Sequence, residues 1–303
     1  MARFLTKRVL MAALTLFIIA TITFFIMFLV PGGPFLSEKV SAQMLEVMNR
    51  AYGLDKPVVV QYKNYMEKLV QGDMGISFKR KGYTVAEIIA EKFPVSAQVG
   101  GIAILISLCV GLPMGILAAY KRNRWIDRVI SVVCTFGIAL PGFLVATMLL
   151  YTFGMNLKWL PTIGLKTPAN YVMPVIAISL SPTCYITRLM RSSMLDVMGQ
   201  DYLKTARAKG LSEPKVLFKH ALRNSLIPVV TYLGPMVTAV LTGSFVAERI
   251  FSIPGLGGYF ISSIGGRDYP MIMGTTIFLA ALLVAANLIV DVLYTIIDPR
   301  IKY

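Results

Sequence analysis

Residues Val9 to Val30 read VLMAALTLFIIATITFFIMFLV, an unbroken apolar run that follows Arg3, Lys7 and Arg8. As a helix rising ~1.5 Å per residue, this run is ~33 Å long, which matches a hydrocarbon core of ~30 Å. A cleaved signal peptide has a shorter apolar region and a small-residue cleavage site, whereas Pro-Gly-Gly follows here. The run therefore predicts a retained transmembrane helix and decides the fold class.

The whole chain has the composition of a membrane protein. Of its 303 residues, 56% are hydrophobic and only 15% are charged, and the mean hydropathy is +0.69. A window of about 19 residues finds five further apolar segments. They lie near Ala97 to Tyr120, Val129 to Phe153, Tyr171 to Met190, Leu226 to Ala247 and Met271 to Ile297. We predict an all-α polytopic membrane protein with six transmembrane helices.

The distribution of Lys and Arg predicts the orientation. Six helices put both termini on one side, and cytoplasmic loops of membrane proteins collect basic residues. The segments on that side carry seventeen Lys and Arg, whereas the two short outer loops carry only Lys158, Lys166, Arg249 and Arg267. We expect both termini to be cytoplasmic, in the plasma membrane of a prokaryote. The net charge of +15 then reports orientation and requires no nucleic acid.

Three regions follow from this plan: a first helix at 1–30, an extracytoplasmic subdomain at 31–96, and a five-helix core at 97–303. The middle segment mixes nine basic with seven acidic residues, and helical spacing recurs within it. We interpret it as a small folded cap, with a separate ligand domain as the alternative. The core contains a cytoplasmic loop at 191–225.

Prolines interrupt several predicted spans. Such breaks are tolerated in a bilayer where neighbouring helices or a water-filled cavity satisfy the freed carbonyls, so they favour a moving or pore-lining bundle. A static kink is the alternative for any one of them. They are Pro113, Pro141, Pro174, Pro182 and Pro235. The cysteines, Cys109, Cys134 and Cys184, fall in apolar segments without CxxC spacing and predict packing residues.

A basic polar segment containing TARAKGL, Thr205 to Leu211, lies between two membrane-grade runs. Apolar residues recur at steps of three and four from Ser192 to Ala208, which predicts an amphipathic helix. Gly210 can adopt the positive φ that ends a helix, Ser212 is placed to cap the next, and Pro214 suits its first turn. We predict two short helices at an angle.

The same pattern also fits a DNA-binding helix-turn-helix. A recognition helix must reach a major groove as a rigid body, whereas both ends of this segment are tethered to predicted spans within roughly fifteen residues. We therefore expect a soluble protein partner and no nucleic acid.

Motifs spread along the chain form one family pattern. They are VPGGP at 30–34, YGLDKP at 52–57, GDMGIS at 72–77, DYLKTARAKGL at 201–211, HALRNSLIPV at 220–229, TGSFVAERIFSIPGLG at 242–257, RDYP at 267–270 and DVLYTIIDPRIKY at 291–303. With them the chain resembles the membrane subunits of ATP-binding cassette importers in the peptide and nickel branch. It is most similar to the B-type subunits of oligopeptide permeases, over essentially its whole length.

The resemblance implies that the polar segment is a coupling helix, which inserts into a groove of a separate ATPase subunit. Lys204, Thr205 and Ala206 occupy the three positions of the family's EAA pattern, and Gly210 matches its glycine. The usual glutamate is a lysine here, so no glutamate contact carries over; Leu222 and Arg223 stand where the pattern has Leu-Pro. The predicted coupling residues are Asp201, Lys204, Thr205, Ala206, Arg207, Lys209, Gly210, Leu211 and Ser212.

The resemblance also implies a function and partners. The chain would be a translocation-pathway subunit of an ATP-driven importer of oligopeptides or dipeptides. Its partners would be a second homologous permease subunit, two cytoplasmic ATPase subunits holding ATP and magnesium, an extracytoplasmic peptide-binding protein and membrane lipid. Nickel chelates or glutathione are alternative cargoes, and a secondary transporter is the alternative from another class.

Two further residues are candidates for an outer gate or a contact with the binding protein, Glu248 and Arg249, where the fifth span meets the outer surface. Asn287 and Asp291 in the last span are more simply structural. We expect no enzyme, no catalytic residue, no metal and no cofactor on this chain. The phosphate cradle GxxxxGK[ST] is absent, and an intramembrane serine protease would need a histidine at membrane depth, whereas the single histidine, His220, lies outside.

Overall fold

The structure is a computed structural model that describes residues 2–29, 33–35 and 42–297. Within these residues the chain is helical and contains no β-strand; one isolated antiparallel bridge joins Ile76 and Thr84. The predicted all-α class is confirmed. Parts of two family motifs, at 30–32 and 298–303, lie outside the described residues, as do Arg300 and Lys302.

The helices are named here in chain order. They are α1 (Ala2–Leu29), α2 (Ala42–Ala51), α3 (Val58–Val70), α4 (Val85–Tyr120), α5 (Trp125–Ala139), α6 (Gly142–Leu149) with a π-helical continuation (Leu150–Asn156), α7 (Ala169–Met198), α8 (Asp201–Ala208), α9 (Glu213–Lys215) with a π-helical turn (Val216–Ala221), α10 (Leu222–Ser225), α11 (Ile227–Ile250), α12 (Leu256–Gly266) and α13 (Tyr269–Ile297).

Among the described residues, α1, α4, α7, α11 and α13 are long and apolar enough to cross a membrane. The predicted straight span Val129 to Phe153 is instead a broken pair, in which α5 and α6 meet at 100°. The break falls at Leu140 and Pro141, which are both extended, because proline disfavours the helical conformation in the residue before it. Six spans result only if this pair counts as one. Pro174 and Pro182, in contrast, lie inside α7.

The chain forms two compact units. The first comprises Met1–Pro94 with Gly255–Leu282, and the second comprises Val95–Pro254 with Leu283–Tyr303. The residues predicted as an extracytoplasmic subdomain therefore pack with a second, distant segment of the chain. Val85, Ile88 and Ile89 share one buried cluster with Leu256 and Met271.

A buried aspartate closes the first unit. Asp268 accepts a hydrogen bond from the Ser77 hydroxyl and others from the backbone N–H of Phe78 (3.1 Å), Lys79 (3.3 Å) and Met271 (3.3 Å). Its residue is 2% exposed. Two of the family motifs, GDMGIS and RDYP, thus meet at one carboxylate, which also caps the start of α13.

The core of the second unit surrounds α7. Ile186 and Met190 are fully buried on this helix and Met194 is 1% exposed. They belong to one cluster with apolar residues of α4, α6 and α11 and of the segment that follows α7. The polar segment of interest therefore begins at the end of the most buried helix of this unit.

Candidate functional site

The candidate site is the elbow, residues 199–225 between α7 and α11. The amphipathic helix predicted from Ser192 to Ala208 is interrupted, because α7 ends at Met198 and α8 begins at Asp201. Gln200 between them is extended, with φ −75° and ψ 147°. The apolar spacing continues through the break since α7 and α8 bury their apolar faces in the same core.

One face of the elbow is fixed to that core. Leu203 in α8 is fully buried and Ala206 is 8% exposed. They join Val216 and Ala221 of the π-helical turn, which are also fully buried, in the cluster that contains Met194. Burying a leucine side chain contributes about 2 kcal/mol, so the elbow is held as a packed extension of α7.

The turn of the elbow requires glycine for its backbone and not for space. Gly210 has φ +76°, and a Cβ built on it would meet nothing within 4 Å. Its N–H donates to the Arg207 carbonyl at 2.9 Å, and the Leu211 N–H donates to the Ala206 carbonyl at 3.4 Å. These bonds close the end of α8 in the manner of a left-handed cap. The predicted positive φ is confirmed.

The second arm begins as predicted at Ser212 and Pro214. Ser212 is extended, its carbonyl accepts the Val216 N–H at 3.0 Å, and Pro214 lies in the first turn of α9. The Ser212 hydroxyl, however, makes no capping hydrogen bond. The arm then continues as the π-helical turn and α10, so it is not the regular α-helix that the sequence predicts.

A tyrosine joins the two arms. The Tyr202 hydroxyl of α8 accepts a hydrogen bond from Asn224 Nδ2 at 2.8 Å and donates to the His220 carbonyl at 3.4 Å. The two arms, α8 and α10, are therefore linked by hydrogen bonds as well as through the core.

The opposite face of the elbow is exposed and charged. Lys204 pairs with Asp201 at 2.8 Å, and Arg207 pairs with Glu213 at 2.6 Å across the turn. Of the predicted coupling residues, the exposed ones are Asp201, Lys204, Thr205, Lys209, Gly210 and Ser212. Arg207 and Leu211 are half-buried, and Ala206 faces the core. The arrangement suits docking against a soluble surface, with one face anchored and the other accessible.

Comparison with known proteins identifies the family. The model of the binding-protein-dependent transport system inner membrane component matches residues 111–303, and a model of the N-terminal part of such membrane components matches residues 1–100. The chain belongs to this family. The family membership confirms the resemblance found in the sequence, and the protein is a multi-pass membrane protein.

Its relatives in this family match over their full length. The chain is 43% identical to the dipeptide transport system permease protein DppB of Bacillus subtilis over 303 residues, covering 100% of this chain and 98% of the relative. It is 41% identical to the oligopeptide transport system permease protein OppB of Salmonella typhimurium over 307 residues, covering 100% of both chains.

Solved structures of two transporters share the fold of about 70% of this chain. A chain of the MetNI methionine ABC transporter, in an inward-facing conformation, matches with a TM-score of 0.58 and 16% identity, covering 70% of this chain and 97% of that chain. A chain of an amino acid ABC transporter matches with a TM-score of 0.50 and 16% identity, covering 71% of this chain and 95% of that chain. At this identity the likeness concerns the fold alone.

The two candidates for an outer gate lie in different surroundings. Glu248 is fully buried and its Oε1 accepts a hydrogen bond from the Ser244 hydroxyl at 3.1 Å, whereas Arg249 is exposed. Only Arg249 is accessible from outside this chain, and the gating role of both stays a prediction. In α13, the side-chain oxygen of Asn287 fills the space that a Cβ on Gly234 would need, which is a packing role.

An ion pair between Arg191 and Asp127 was not predicted from the sequence. Arg191 in α7 donates from Nε to Asp127 Oδ1 at 2.5 Å and from Nη2 to Oδ2 at 2.8 Å. Asp127 is the single acidic residue in the basic loop KRNRWIDR at 121–128, which we used only to assign orientation. A lone carboxylate among four cations is the signal that could have drawn attention to it.

No site for a metal is found in the part of the chain that the structure describes, where no three His, Cys, Asp or Glu side chains cluster suitably. The expectation that this chain binds no cofactor stays a prediction.

Proposed function

We propose that this chain forms part of the translocation pathway of an ATP-driven importer of dipeptides or oligopeptides, and that its elbow couples ATPase motion to the membrane helices. The cargo class rests on the relatives, which are named as dipeptide and oligopeptide permeases and match the whole chain. The coupling role rests on one observation: the elbow is buried on the side of α7 and exposed on the other.

The mechanism is mechanical and involves no covalent chemistry on this chain. Closure of an ATPase dimer on ATP pushes the exposed face of the elbow. Because Leu203 anchors α8 in the core and Tyr202 links it to α10, the displacement reaches α7 and α11 at the two ends of the elbow. Their reorientation opens the pathway outward to receive the peptide, and hydrolysis returns it to an inward-facing state.

The assembly contains three kinds of subunit besides this chain, and membrane lipid surrounds it. A second homologous permease subunit completes the pathway, two cytoplasmic ATPase subunits hold ATP and magnesium, and an extracytoplasmic binding protein delivers the peptide. Both termini and the elbow face the cytoplasm, in accordance with the concentration of basic residues on that side. Glu248 and Arg249 belong to the opposite end, next to the binding protein.

Purification and reconstitution test this proposal. The chain, expressed with the permease and ATPase subunits encoded beside it, is purified through a tag on this chain alone and placed in liposomes. We expect the ATPase subunits to copurify, and uptake of a labelled dipeptide to require both ATP and the binding protein. Uptake by this chain alone, driven by an ion gradient without ATP, would show that it is a secondary transporter.

A further inference from the structure

The Asp127–Arg191 pair has the geometry of a rigid clamp. Two nearly parallel N–H to oxygen bonds, at 2.5 and 2.8 Å, hold the guanidinium against the carboxylate. Asp127 lies in the first turn of α5 and Arg191 lies seven residues, or ~10 Å, before the end of α7. The clamp therefore ties the start of α5 to the end of α7 that carries the elbow.

The surroundings of the clamp hold the carboxylate in place. Asp127 is 3% exposed, and its Oδ2 also accepts the Asn123 N–H at 2.9 Å. Asn123 has φ +63°, a left-handed conformation that is costly for most residues but tolerated by asparagine. The Ser131 hydroxyl points to Oδ1 at 3.4 Å. The carboxylate thus fixes the loop before α5, a turn of α5 and α7 together.

Close packing along α7 continues the connection away from the clamp. A Cβ on Gly115 of α4 would lie 2.6 Å from Met190 Cβ, and one on Gly111 would lie 2.9 Å from the Thr183 carbonyl oxygen. These glycines form GLPMG, the GxxxG spacing that lets membrane helices approach closely. On α5, a Cβ on Gly137 would overlap the sulfur of Cys184.

The glycine contacts and the Asp127–Arg191 pair resist relative sliding of the helices to different degrees. Glycine contacts bring helices together but allow them to shift, because they are made of dispersion forces between small groups. A bidentate ion pair with a buried carboxylate has one geometry and loses its hydrogen bonds when either helix moves. The clamp is therefore the contact with the most sharply fixed geometry that we identify between α7 and α5 at the end where the elbow acts.

We propose that Asp127 and Arg191 are positioning residues for coupling, which make α5 follow α7 so that movement of the elbow reaches the bent pair α5–α6. The inference rests on the proposed function of the elbow. It adds α5 and α6 to the moving element, beyond α7 and α11, the two spans that flank the elbow.

The test compares two ATPase rates of the reconstituted transporter: the basal rate and the rate stimulated by the peptide-loaded binding protein. Asp127→Asn keeps the size of the side chain and removes its charge. We expect the stimulated rate and dipeptide uptake to fall about fivefold or more, the range of typical coupling between sites, while the basal rate stays near that of the wild type. A merely structural role would lower both rates together through loss of assembled complex.

Matched controls remove a charge beside the clamp. Arg128 is adjacent to Asp127 and exposed, and Arg188 lies one turn before Arg191 and is also exposed. Arg128→Gln and Arg188→Gln should leave the ratio of stimulated to basal rate unchanged. Arg191→Gln should match Asp127→Asn, and the double variant should be no worse than either single variant, because both lose the same interaction.

The outcomes separate this inference from the function on which it rests. If the wild-type complex shows no stimulation at all, the proposed function fails. If the wild type is stimulated and Asp127→Asn is stimulated equally, only the role of the clamp is refuted. The clamp is also refuted if the fold losses of stimulation in Asp127→Asn and Arg191→Gln multiply in the double variant. Should Asp127→Asn fail to assemble, Arg191→Lys keeps the charge but loses the second bond. It should give a smaller loss of stimulation, and wild-type stimulation in it would overturn the inference.

Discussion

The turn at Asp268 and the turn of the elbow at Gly210 each connect two consecutive helices, but they treat their polar groups in opposite ways. At the first, four hydrogen bonds converge on one carboxylate that is 2% exposed. At the second, the backbone turn leaves Lys209, Gly210 and Ser212 exposed. The Asp268 turn satisfies its polar groups within the chain and is stable without a partner. The Gly210 turn keeps its polar groups at the surface, where a partner can contact them.

The largest expected effect is the loss of the Asp268 carboxylate. Asp268→Ala leaves the Ser77 hydroxyl and three backbone N–H groups without their acceptor, which should cost about 3 kcal/mol or more in unfolding free energy. Thermal unfolding of the purified complex measures it. Asp55→Ala removes an exposed carboxylate from the same unit and serves as the control. Equal melting temperatures for the two variants would mean that Asp268 does not hold this turn.

The next effect concerns the elbow and should appear in coupling more than in stability. Gly210→Val forces a β-branched residue into a left-handed conformation, at a cost of roughly 1–2 kcal/mol, and should tilt the second arm of the elbow. Membrane insertion should be unchanged, while stimulation of ATP hydrolysis by the loaded binding protein should be lost.

Gly210→Asn tests whether the turn requires a positive φ or requires glycine itself. Asparagine tolerates positive φ, and the structure leaves open space around this Cβ. We expect this variant to retain most of the stimulation. Normal coupling in Gly210→Val, or equal loss in both variants, would show that the backbone of this turn does not set the angle on which coupling depends.

The features that the sequence predicts well depend on local rules. The long apolar segments correspond to α1, α4, α7, α11 and α13, because length and hydropathy suffice to recognise a span. The positive φ of Gly210 and the position of Pro214 follow from the conformational limits of single residues.

The features that sequence reasoning misses depend on distant contacts or on the size of a local effect. Ser77 and Asp268 are 191 residues apart, and Asp127 and Arg191 are 64 apart, so no spacing along the chain indicates either pair. Pro141 signals a break, but only packing decides that the helices meet at 100°. The break between α7 and α8 at Gln200 cannot be recognised from the sequence, because the two helices bury one continuous apolar stripe in the same core.

The smallest effect is expected for the exposed ion pair across the elbow. The side chains of Arg207 and Glu213 are 33% and 49% exposed, so water screens their attraction and two long side chains are ordered by the contact. Arg207→Gln and Glu213→Gln, singly or together, should change the unfolding free energy by less than about 1 kcal/mol, whereas Arg207→Gln, at a predicted coupling residue, should lower stimulation more than Glu213→Gln does. Melting and ATPase assays at low and high salt measure both.

The Asp201–Lys204 pair is the reference for this result. Its side chains are 93% and 67% exposed, so its removal should change the unfolding free energy even less. If Arg207→Gln instead destabilises the complex as strongly as Asp268→Ala, the two turns are alike, and the charged face of the elbow is held together from within. If the loss appears only in stimulation and shrinks at high salt, Arg207 contacts the partner directly, because salt already weakens that exposed charge–charge contact in the wild type.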